Sequence, residues 1–457
     1  MSTTTDDLDL DDLAPADRLS VGGLARNGAI AGAIKLASAG LSFLMFVVVA
    51  LVTDERQFGL FSAAYAGASL VSFFASVGQP SAIMRFWPQF ASNGRPDVAN
   101  SFMRRSIITA LLGLVFSSVA MAVLGFVPWF TERTPEWLPL CVSAATLSFA
   151  LGWSDFASGA FRAKSALVSA LLPRDVIWRG AVIVALLAMH SLHMVTDAVF
   201  ATLLTAALLL LAVAPQAFVL LRDTIRLRKA PLTAEQKKEF NSVSLGLLGA
   251  TSLPPALAQV STLLVAAILG PEAAGAVFIA DRTTRIVLLA LNGLNSALAP
   301  EISSAFYGGD KQHVQKMTSF TALGALSVGV VTLLSFVFFG KQILAIFDPA
   351  YATPMTQAVL VIFGINAAIS TAVGPVEPLL QLTGLQHRMV KVLVVVNSIG
   401  LVVTAIATYE FGSLGAALGI AATGITWSLM ALTVAIRQIG INPSVFGLMR
   451  LGGRSAP

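Results

Sequence analysis

The chain is poor in charged residues. Only 12% of its 457 residues are Asp, Glu, Lys or Arg, about half of the roughly 25% that soluble globular proteins carry. The deficit is concentrated in long stretches, and residues 198–221, 317–340 and 411–436 contain no charge at all. Each of these stretches exceeds the roughly 20 helical residues that cross a hydrocarbon core. A soluble fold is therefore excluded, and the composition predicts an all-α polytopic membrane protein.

The residue types that build catalytic and metal sites are also scarce. The single cysteine, Cys141, excludes an internal disulfide. His190 and His193 lie three residues apart, but two imidazoles without a third ligand do not predict a metal site. The chain has no Gly-x-x-x-x-Gly-Lys-Ser/Thr loop for ATP phosphates. We therefore expect no metal or cofactor, and we do not expect an enzyme.

The N-terminus lacks the features of a secretory signal. Residues 1–22 contain six aspartates and no apolar core, whereas a signal peptide needs a basic start followed by a short apolar run. We expect a disordered acidic tail in the cytoplasm.

Hydropathy predicts twelve membrane spans. Their approximate limits are 27–52, 58–83, 104–129, 137–160, 172–192, 197–221, 241–269, 273–300, 317–340, 354–382, 390–409 and 411–436. The fifth is the weakest, because Arg174, Asp175 and Arg179 fall in its first two turns. Pro254 and Pro255 lie inside the seventh span and predict a break or sharp kink there.

The distribution of positive residues predicts the orientation. With the N-terminus inside, 23 of the 29 lysines and arginines fall on the inner side, three fall outside and three lie within spans. Because positive residues are retained on the cytoplasmic side, both termini are expected in the cytoplasm. This topology accounts for the pI near 9.5 without a nucleic-acid partner.

The two halves of the chain look related. The outer turn at 53–64 (Thr-Asp-Glu-Arg-Gln-Phe-Gly-Leu-Phe-Ser-Ala-Ala) corresponds to Leu-Gly-Pro-Glu-Ala-Ala-Gly-Ala-Val-Phe-Ile-Ala at 269–280, with Gly59 aligned on Gly275. Two sets of six spans in the same orientation form a parallel repeat about an axis along the membrane normal. The predicted organisation is a tail (1–22), a six-helix lobe (23–222), a cytoplasmic linker (223–240), a second six-helix lobe (241–437) and a C-terminal tail (438–457).

At these turns the chain resembles the polysaccharide transporter family of the multidrug/oligosaccharidyl-lipid/polysaccharide flippase superfamily. The matching elements include Phe-Gly-Leu-Phe (58–61), Leu-Gly-Pro-Glu-Ala-Ala-Gly (269–275), Leu-Asn-Ser-Ala-Leu-Ala-Pro-Glu-Ile (294–302) and Leu-Leu-Gln-Leu-Thr-Gly (379–384). The resemblance implies two lobes around a central cavity, alternating access, and a lipid-linked oligosaccharide of the O-antigen or capsule repeat-unit kind as cargo. It also implies a bacterial cytoplasmic membrane, with membrane lipids and polysaccharide polymerase machinery as partners. The peptidoglycan-precursor branch resembles fourteen-helix proteins and is disfavoured by twelve spans.

Charged residues inside the spans are the candidates for function. Each costs about 2.5–3.5 kcal/mol at mid-membrane, so most of them must face a wet cavity or one another. The six are Lys35, Asp155, Asp281, Arg282, Arg285 and Glu377.

Lys35, Arg282 and Arg285 are the predicted substrate-binding residues. Arginine binds phosphate oxygens through a planar fork of donors, which suits the pyrophosphate that the resemblance implies. Two alternatives stay open. In the first, Asp281 and Arg285, four residues apart, form an ion pair that has no role beyond neutralising the two charges. In the second, the Lys35 side chain extends to the inner membrane interface and does not bind substrate.

Asp155, Asp281 and Glu377 are the candidates for a gate or for coupling. Glu377 lies between Pro375 and Pro378, where a helix must kink or unwind, so it could bind a proton there. Asp155 lies near the inner end of its span, where ordinary pairing with Arg162 or Lys164 is the simpler interpretation.

Three functions compete at this point. Export of a lipid-linked oligosaccharide is favoured by the basic bias of Lys35, Arg282 and Arg285. A cation-coupled multidrug antiporter of the same superfamily would favour acidic cavity residues. A membrane enzyme of glycan assembly would need carboxylates in sizeable outer loops, and the predicted outer loops are short.

Overall fold

The computed structural model describes residues 21–127 and 135–448, and these form an array of helices. The helices are α1 (Val21–Val52), α2 (Glu55–Ala75), α3 (Gln79–Ala91), α4 (Pro96–Val123), α5 (Trp137–Ala163), α6 (Leu167–Leu172), α7 (Trp178–Ser191), α8 (Ala198–Arg226), α9 (Ala234–Leu269), α10 (Pro271–Tyr307), α11 (Lys311–Ala345), α12 (Pro354–Val373), α13 (Val376–Leu382) and α14 (Gln386–Ile439). Apart from 21–22, the predicted acidic tail lies outside the described residues.

The predicted all-α membrane fold is confirmed. Within the described ranges, nine helical segments are long and apolar enough to cross a membrane, and no strand is found there. One of these segments, α14, has 54 residues and turns back at Gly412, so it covers the two predicted spans 390–409 and 411–436. The remaining predicted spans, 172–192 and 273–300, correspond to α6–α7 and α10.

The turn inside α14 consists of a single residue with positive φ. Gly412 has φ 61° and ψ −141°, a conformation that costs little only without a Cβ. The chain then returns against itself so closely that a Cβ on Gly415 would lie 1.8 Å from the carbonyl oxygen of Ala407. Further along, a Cβ on Gly419 would lie 2.7 Å from the Cα of Thr404. The last two spans therefore form a tight helical hairpin.

The weakest predicted span contains an irregular turn. Between α6 and α7, residues Pro173–Ile177 form one π-helical turn. Such turns often mark functional sites, because they widen the helix and change the direction of its side chains. This turn carries Arg174 and Asp175, and Arg179 follows it in α7.

The prolines have different effects at two places in the second half of the chain. α12 ends at Val373, Gly374 has φ 82°, and α13 begins at Val376, so the kink predicted beside Pro375 is confirmed. α9, in contrast, continues as one helix through Pro254 and Pro255, and the chain does not break there.

Each half of the chain packs around one central helix. α5 packs against α2, α4 and α8, and α12 packs against α10, α11 and α14. The two halves meet where α2 packs against α9 and α10 and where α1 packs against α10. α8 and α9 extend into the predicted linker and leave 227–233 between them. The limits of the two lobes, 23–222 and 241–437, stay a prediction.

The two halves are in close contact at the predicted outer end. A Cβ on Gly59 would lie 1.9 Å from the carbonyl oxygen of Pro271, so α2 can approach α10 there only because residue 59 has no side chain. Tyr351, in the turn before α12, donates a hydrogen bond of 3.2 Å to the carbonyl oxygen of Glu55.

A buried aromatic cluster lies below this contact. The ring of Phe46 in α1 lies 4.9 Å from the ring of Phe278 in α10 and 5.1 Å from that of Tyr65 in α2. Phe58 contacts both Phe278 and Tyr351. All of these side chains are buried, so the outer end between the lobes is closed to water.

The predicted inner end differs on its two sides. On the α3 side the halves meet again, with the rings of Phe86 and Phe240 5.0 Å apart. On the α1 side, α1 buries Ile34 against α6 of its own half, while Lys35 and Leu36 are exposed. Among the described side chains, the inner half of α1 is therefore covered on only one face.

Candidate substrate cavity between the lobes

Arg282 lies at the boundary between the two halves. Its guanidinium is 4.6 Å from the ring centroid of Phe278 in its own helix and 5.3 Å from that of Phe46 in α1. Its Nη2 donates a long hydrogen bond of 3.4 Å to Gln259 of α9. Its Nε is buried and has no hydrogen-bond partner among the described residues. Aromatic faces thus hold this cation while part of its donor capacity stays unused.

The acid nearest to Arg282 along the chain is already paired. Asp281 accepts a hydrogen bond of 2.7 Å from Arg285, the pair that the i,i+4 spacing predicts. Both residues line a cavity of about 170 Å³ inside the second half, together with Asn366 of α12 and Asn397 of α14. Two arginines and one carboxylate leave this group with one net positive charge.

The first half of the chain contains a second arginine with a buried Nε, Arg179. It lies in α7, its Nη1 donates to the carbonyl oxygen of Asp175 (2.6 Å) and to Oγ of Ser38 in α1 (3.0 Å), and its guanidinium stacks over Trp178 at 4.8 Å. Its Nε, like that of Arg282, is buried without a partner in the described chain.

The carboxylate of Asp175, next to Arg179, pairs more closely with Lys35 than with Arg179. Asp175 accepts a hydrogen bond of 2.6 Å from Lys35 of α1, and Arg179 is only within 3.9 Å of it. The Lys35 side chain is 56% exposed and the Asp175 side chain 6% exposed, so the ion pair joins an exposed ammonium group to a buried carboxylate. This group also has one net positive charge.

Arg179 and Arg282 come from opposite halves and both lie against α1. Both side chains contact α1, Arg179 at Ser38 and Arg282 at Phe46, and each is close enough to Tyr65 of α2 to interact with it electrostatically. Two cations from opposite halves, each with a buried N–H that has no partner among the described residues, therefore lie along the same helix. Buried donors without partners are rare in folded proteins and call for an explanation such as a ligand.

The other predicted site residues lie outside this pair. Asp155 forms an ion pair of 3.0 Å with Arg174, which places it on the wall of the first half. Glu377 is exposed in α13, where Gln381 donates to it at 3.3 Å. The gate or coupling roles given to Asp155, Asp281 and Glu377 stay predictions.

Sequence reasoning missed Arg179 and Asp175 as site residues. It counted Arg179 among the inner-side charges and used Asp175 only to mark the fifth span as weak. The available signal was three ionisable residues within six positions of a predicted span, beside Pro173. The partnership of Arg282 with Phe46 had no sequence signal, because 236 residues separate them.

The comparisons with known proteins agree with this architecture. Residues 24–306 match a family model described as polysaccharide biosynthesis protein. No curated protein matches the sequence significantly.

Several solved structures share the fold over nearly the whole chain. An inward-facing multidrug resistance MATE family transporter of the MOP superfamily is similar with a TM-score of 0.68 and 14% identity, covering 92% of this chain and 96% of that one. The outward-facing conformation of a MATE family transporter is similar with a TM-score of 0.57 and 16% identity, covering 93% of this chain and 96% of that one. A MOP superfamily transporter from Pyrococcus furiosus is similar with a TM-score of 0.60 and 16% identity, covering 91% of this chain and 96% of that one. The reverse polarity of that protein's binding pocket suggests a different function for it.

The predicted two-lobed transporter fold is therefore confirmed. Because the family model covers more than half of the chain, this protein belongs to the polysaccharide biosynthesis protein family and has the fold of the MATE transporters of the MOP superfamily.

Proposed function

We propose that this protein is a flippase that moves a lipid-linked oligosaccharide, with a pyrophosphate between lipid and sugar, from the inner to the outer leaflet. The observation that carries the proposal is that Arg179 and Arg282, from opposite lobes, both lie against α1 and both keep a buried donor without a partner in the described chain. A phosphate group between them would satisfy both.

The charge of the cavity supports an anionic cargo. Each lobe contributes one excess positive charge, from Lys35 and Arg179 with Asp175 on one side and from Arg282 and Arg285 with Asp281 on the other. Uncompensated cations in a low-dielectric site are costly unless an anion joins them. Arginine forks bind phosphate oxygens in a bidentate manner.

The shape of the cavity supports an amphiphilic cargo that enters from the inner leaflet. The outer end is closed by Gly59 against Pro271 and by the aromatic cluster around Phe46. The entrance in this proposal lies beside the inner half of α1, where the side chains of Lys35 and Leu36 are exposed. The headgroup could enter there while the lipid tail stays in the bilayer.

The membrane potential can supply the driving force. An anion that moves outward across a membrane with an inside-negative potential gains about 2.3 kcal/mol per charge per 100 mV. Two charges on a pyrophosphate would gain roughly 4–5 kcal/mol at that potential, without ATP. Transport of a labelled lipid-linked saccharide in proteoliposomes should therefore respond to an imposed potential and not to ATP.

The decisive experiment replaces Arg179 and Arg282 one at a time. Arg282→Gln and Arg179→Gln should each abolish lipid transport, because each removes the planar donors for phosphate, and Arg282→Lys should restore transport only in part. Arg222→Gln is the matched control, since Arg222 is a surface residue beside Asp223. Survival of transport in both variants, at normal membrane levels, would refute the headgroup role.

Cation-coupled drug efflux is the second candidate, because the structural neighbours include multidrug MATE transporters. It is disfavoured by the pairing of the acids in the described cavity walls: Asp155 with Arg174, Asp175 with Lys35, and Asp281 with Arg285. Drug efflux driven by a Na⁺ or H⁺ gradient, without lipid movement, would decide in its favour.

A further inference from the structure

A basic pocket lies far from the central cavity, on the predicted cytoplasmic face. It has a volume of about 430 Å³ and is formed by α4 and the segment 227–233 that joins the two lobes. Four cations line it, and no carboxylate is found among its lining residues: Arg104, Arg105, Lys229 and Lys237.

The wall of this pocket is held in place by hydrogen bonds. The hydroxyl of Ser101 donates to the carbonyl oxygen of Ala230 at 2.6 Å, and the N–H of Ala230 donates to the carbonyl oxygen of Asp97 at 3.3 Å. The amide of Asn100 donates to the carbonyl oxygen of Arg228 at 3.3 Å. The joining segment is thus fixed along one face of α4, which fixes the backbone position of Lys229.

One of the four cations has an unused donor. Arg105 donates from Nη2 to Asn241 of α9 at 3.1 Å, but its Nε is buried and has no partner among the described residues. A ligand in the pocket that accepts hydrogen bonds would give the Nε–H of Arg105 a partner.

The pocket extends towards the apolar stretch of α4. Ile108 and Thr109 line it on the side where α4 enters its apolar stretch, and Ile108 is 46% exposed. Basic residues next to an apolar edge suit a lipid phosphate whose acyl chains remain in the bilayer, and basic pockets between helices on the cytoplasmic side bind anionic headgroups.

We propose that this pocket binds the phosphate of an anionic phospholipid. Because Arg104 and Arg105 belong to the first lobe and Lys237 begins the first helix of the second, the bound lipid contacts both lobes at their only covalent connection. The proposal is independent of the cargo and of the arginine pair in the central cavity.

The test is native mass spectrometry of the full chain in micelles that contain phosphatidylglycerol or phosphatidylcholine. The wild type should retain phosphatidylglycerol in preference to phosphatidylcholine. Lys229→Gln/Lys237→Gln should weaken phosphatidylglycerol binding about thirtyfold, equivalent to about 2 kcal/mol for two surface cations. Arg228→Gln/Lys238→Gln is the matched control, because it removes the same charge from adjacent positions that do not line the pocket.

Three results would overturn the proposal. The first is equal retention of the two lipids by the wild type. The second is an equal loss in both double variants, which would indicate general surface charge. The third is complete displacement of phosphatidylglycerol by inorganic phosphate, which would indicate a site for a soluble anion. If Lys229→Gln lowers folding, the exposed Lys237→Gln alone gives the same comparison with Lys238→Gln.

Discussion

Gly59 of α2 and Gly275 of α10 touch at the boundary between the lobes: a Cβ on Gly275 would lie 3.3 Å from the Cα of Gly59. These two residues occupy equivalent positions in the two related outer turns. Equivalent residues of a two-fold repeat can meet only close to its axis. The outer contact therefore lies at the pseudo-symmetry axis, and small residues on both sides allow the helices to come together there.

Gly59→Ala should destabilise the structure with a closed outer end. The added methyl group would overlap the carbonyl oxygen of Pro271, and overpacking of this kind costs about 1–3 kcal/mol. Thermal unfolding of the purified protein should show a lower midpoint, and a distance probe across the outer end should report wider separation. Gly40→Ala is the control, because nothing lies within 4 Å of its Cβ position. It should be neutral or stabilising by up to about 1 kcal/mol, and equal losses in the two variants would contradict the argument.

Closure of the outer end should depend on pH through Glu55. Its pKa is raised above 4.5 in the closed structure by burial, and further by the negative charges of Glu272 and Asp348 in the other lobe. The closed structure therefore binds the proton more tightly than a structure with separated lobes, whose Glu55 would titrate in the ordinary range. Closure is thus disfavoured above the raised pKa, becomes more favourable as the pH falls through it, and gains no more below 4.5.

The measurement is a spin-label distance across the outer end as a function of external pH. Glu55→Gln should remove most of the pH dependence and favour the closed structure at neutral pH. Arg56 and Glu136 lie nearby but neutralise each other through two hydrogen bonds of 2.9 and 3.1 Å. An unchanged pH profile in Glu55→Gln would exclude this carboxyl as the cause.

Variants of the pair Lys35–Asp175 can show whether Lys35 binds the headgroup or only stabilises the protein. Asp175→Asn should lower the amount of protein in the membrane, because Lys35 and Arg179 lose their common carboxylate. Lys35→Met combined with Asp175→Asn should restore the amount, since the excess charge is removed. If Lys35 contacts the headgroup, transport should stay impaired in the double variant; full recovery of transport would make Lys35 purely structural.

The orientation can be tested with introduced cysteines in a Cys141→Ala background. Val195, 96% exposed in a predicted outer turn, should react as Val195→Cys with an impermeant thiol reagent in intact cells. Glu235→Cys, at the predicted cytoplasmic start of α9, should react only after permeabilisation. The reverse pattern would invert the topology and the direction of transport.

The helical fold was predictable because membrane spans follow from local hydropathy. The runs at 317–340 and 411–436 need no knowledge of the rest of the chain, and the i,i+4 spacing of Asp281 and Arg285 was enough to predict their ion pair. The correspondence of Gly59 and Gly275 was also visible in the sequence.

The cavity was less predictable because its geometry depends on distant segments. Lys35 and Asp175 are 140 positions apart, and nothing local indicates which acid a lysine will meet. The single-residue turn at Gly412 was hidden for a different reason. Hydropathy places a boundary between two spans there but does not show how few residues the turn needs.

That turn has a consequence for how the protein is made and how it moves. The two helices that meet at Gly412 have no loop between them, and Gly415 and Gly419 pack against the opposite helix. One helix of this hairpin therefore cannot slide along the other. The two arms of the hairpin should enter the bilayer together as a preassembled unit and should swing together during transport. An epitope inserted after Gly412 would therefore separate two arms that have no spare chain between them, whereas the same epitope in the segment 227–233 would extend an existing linker.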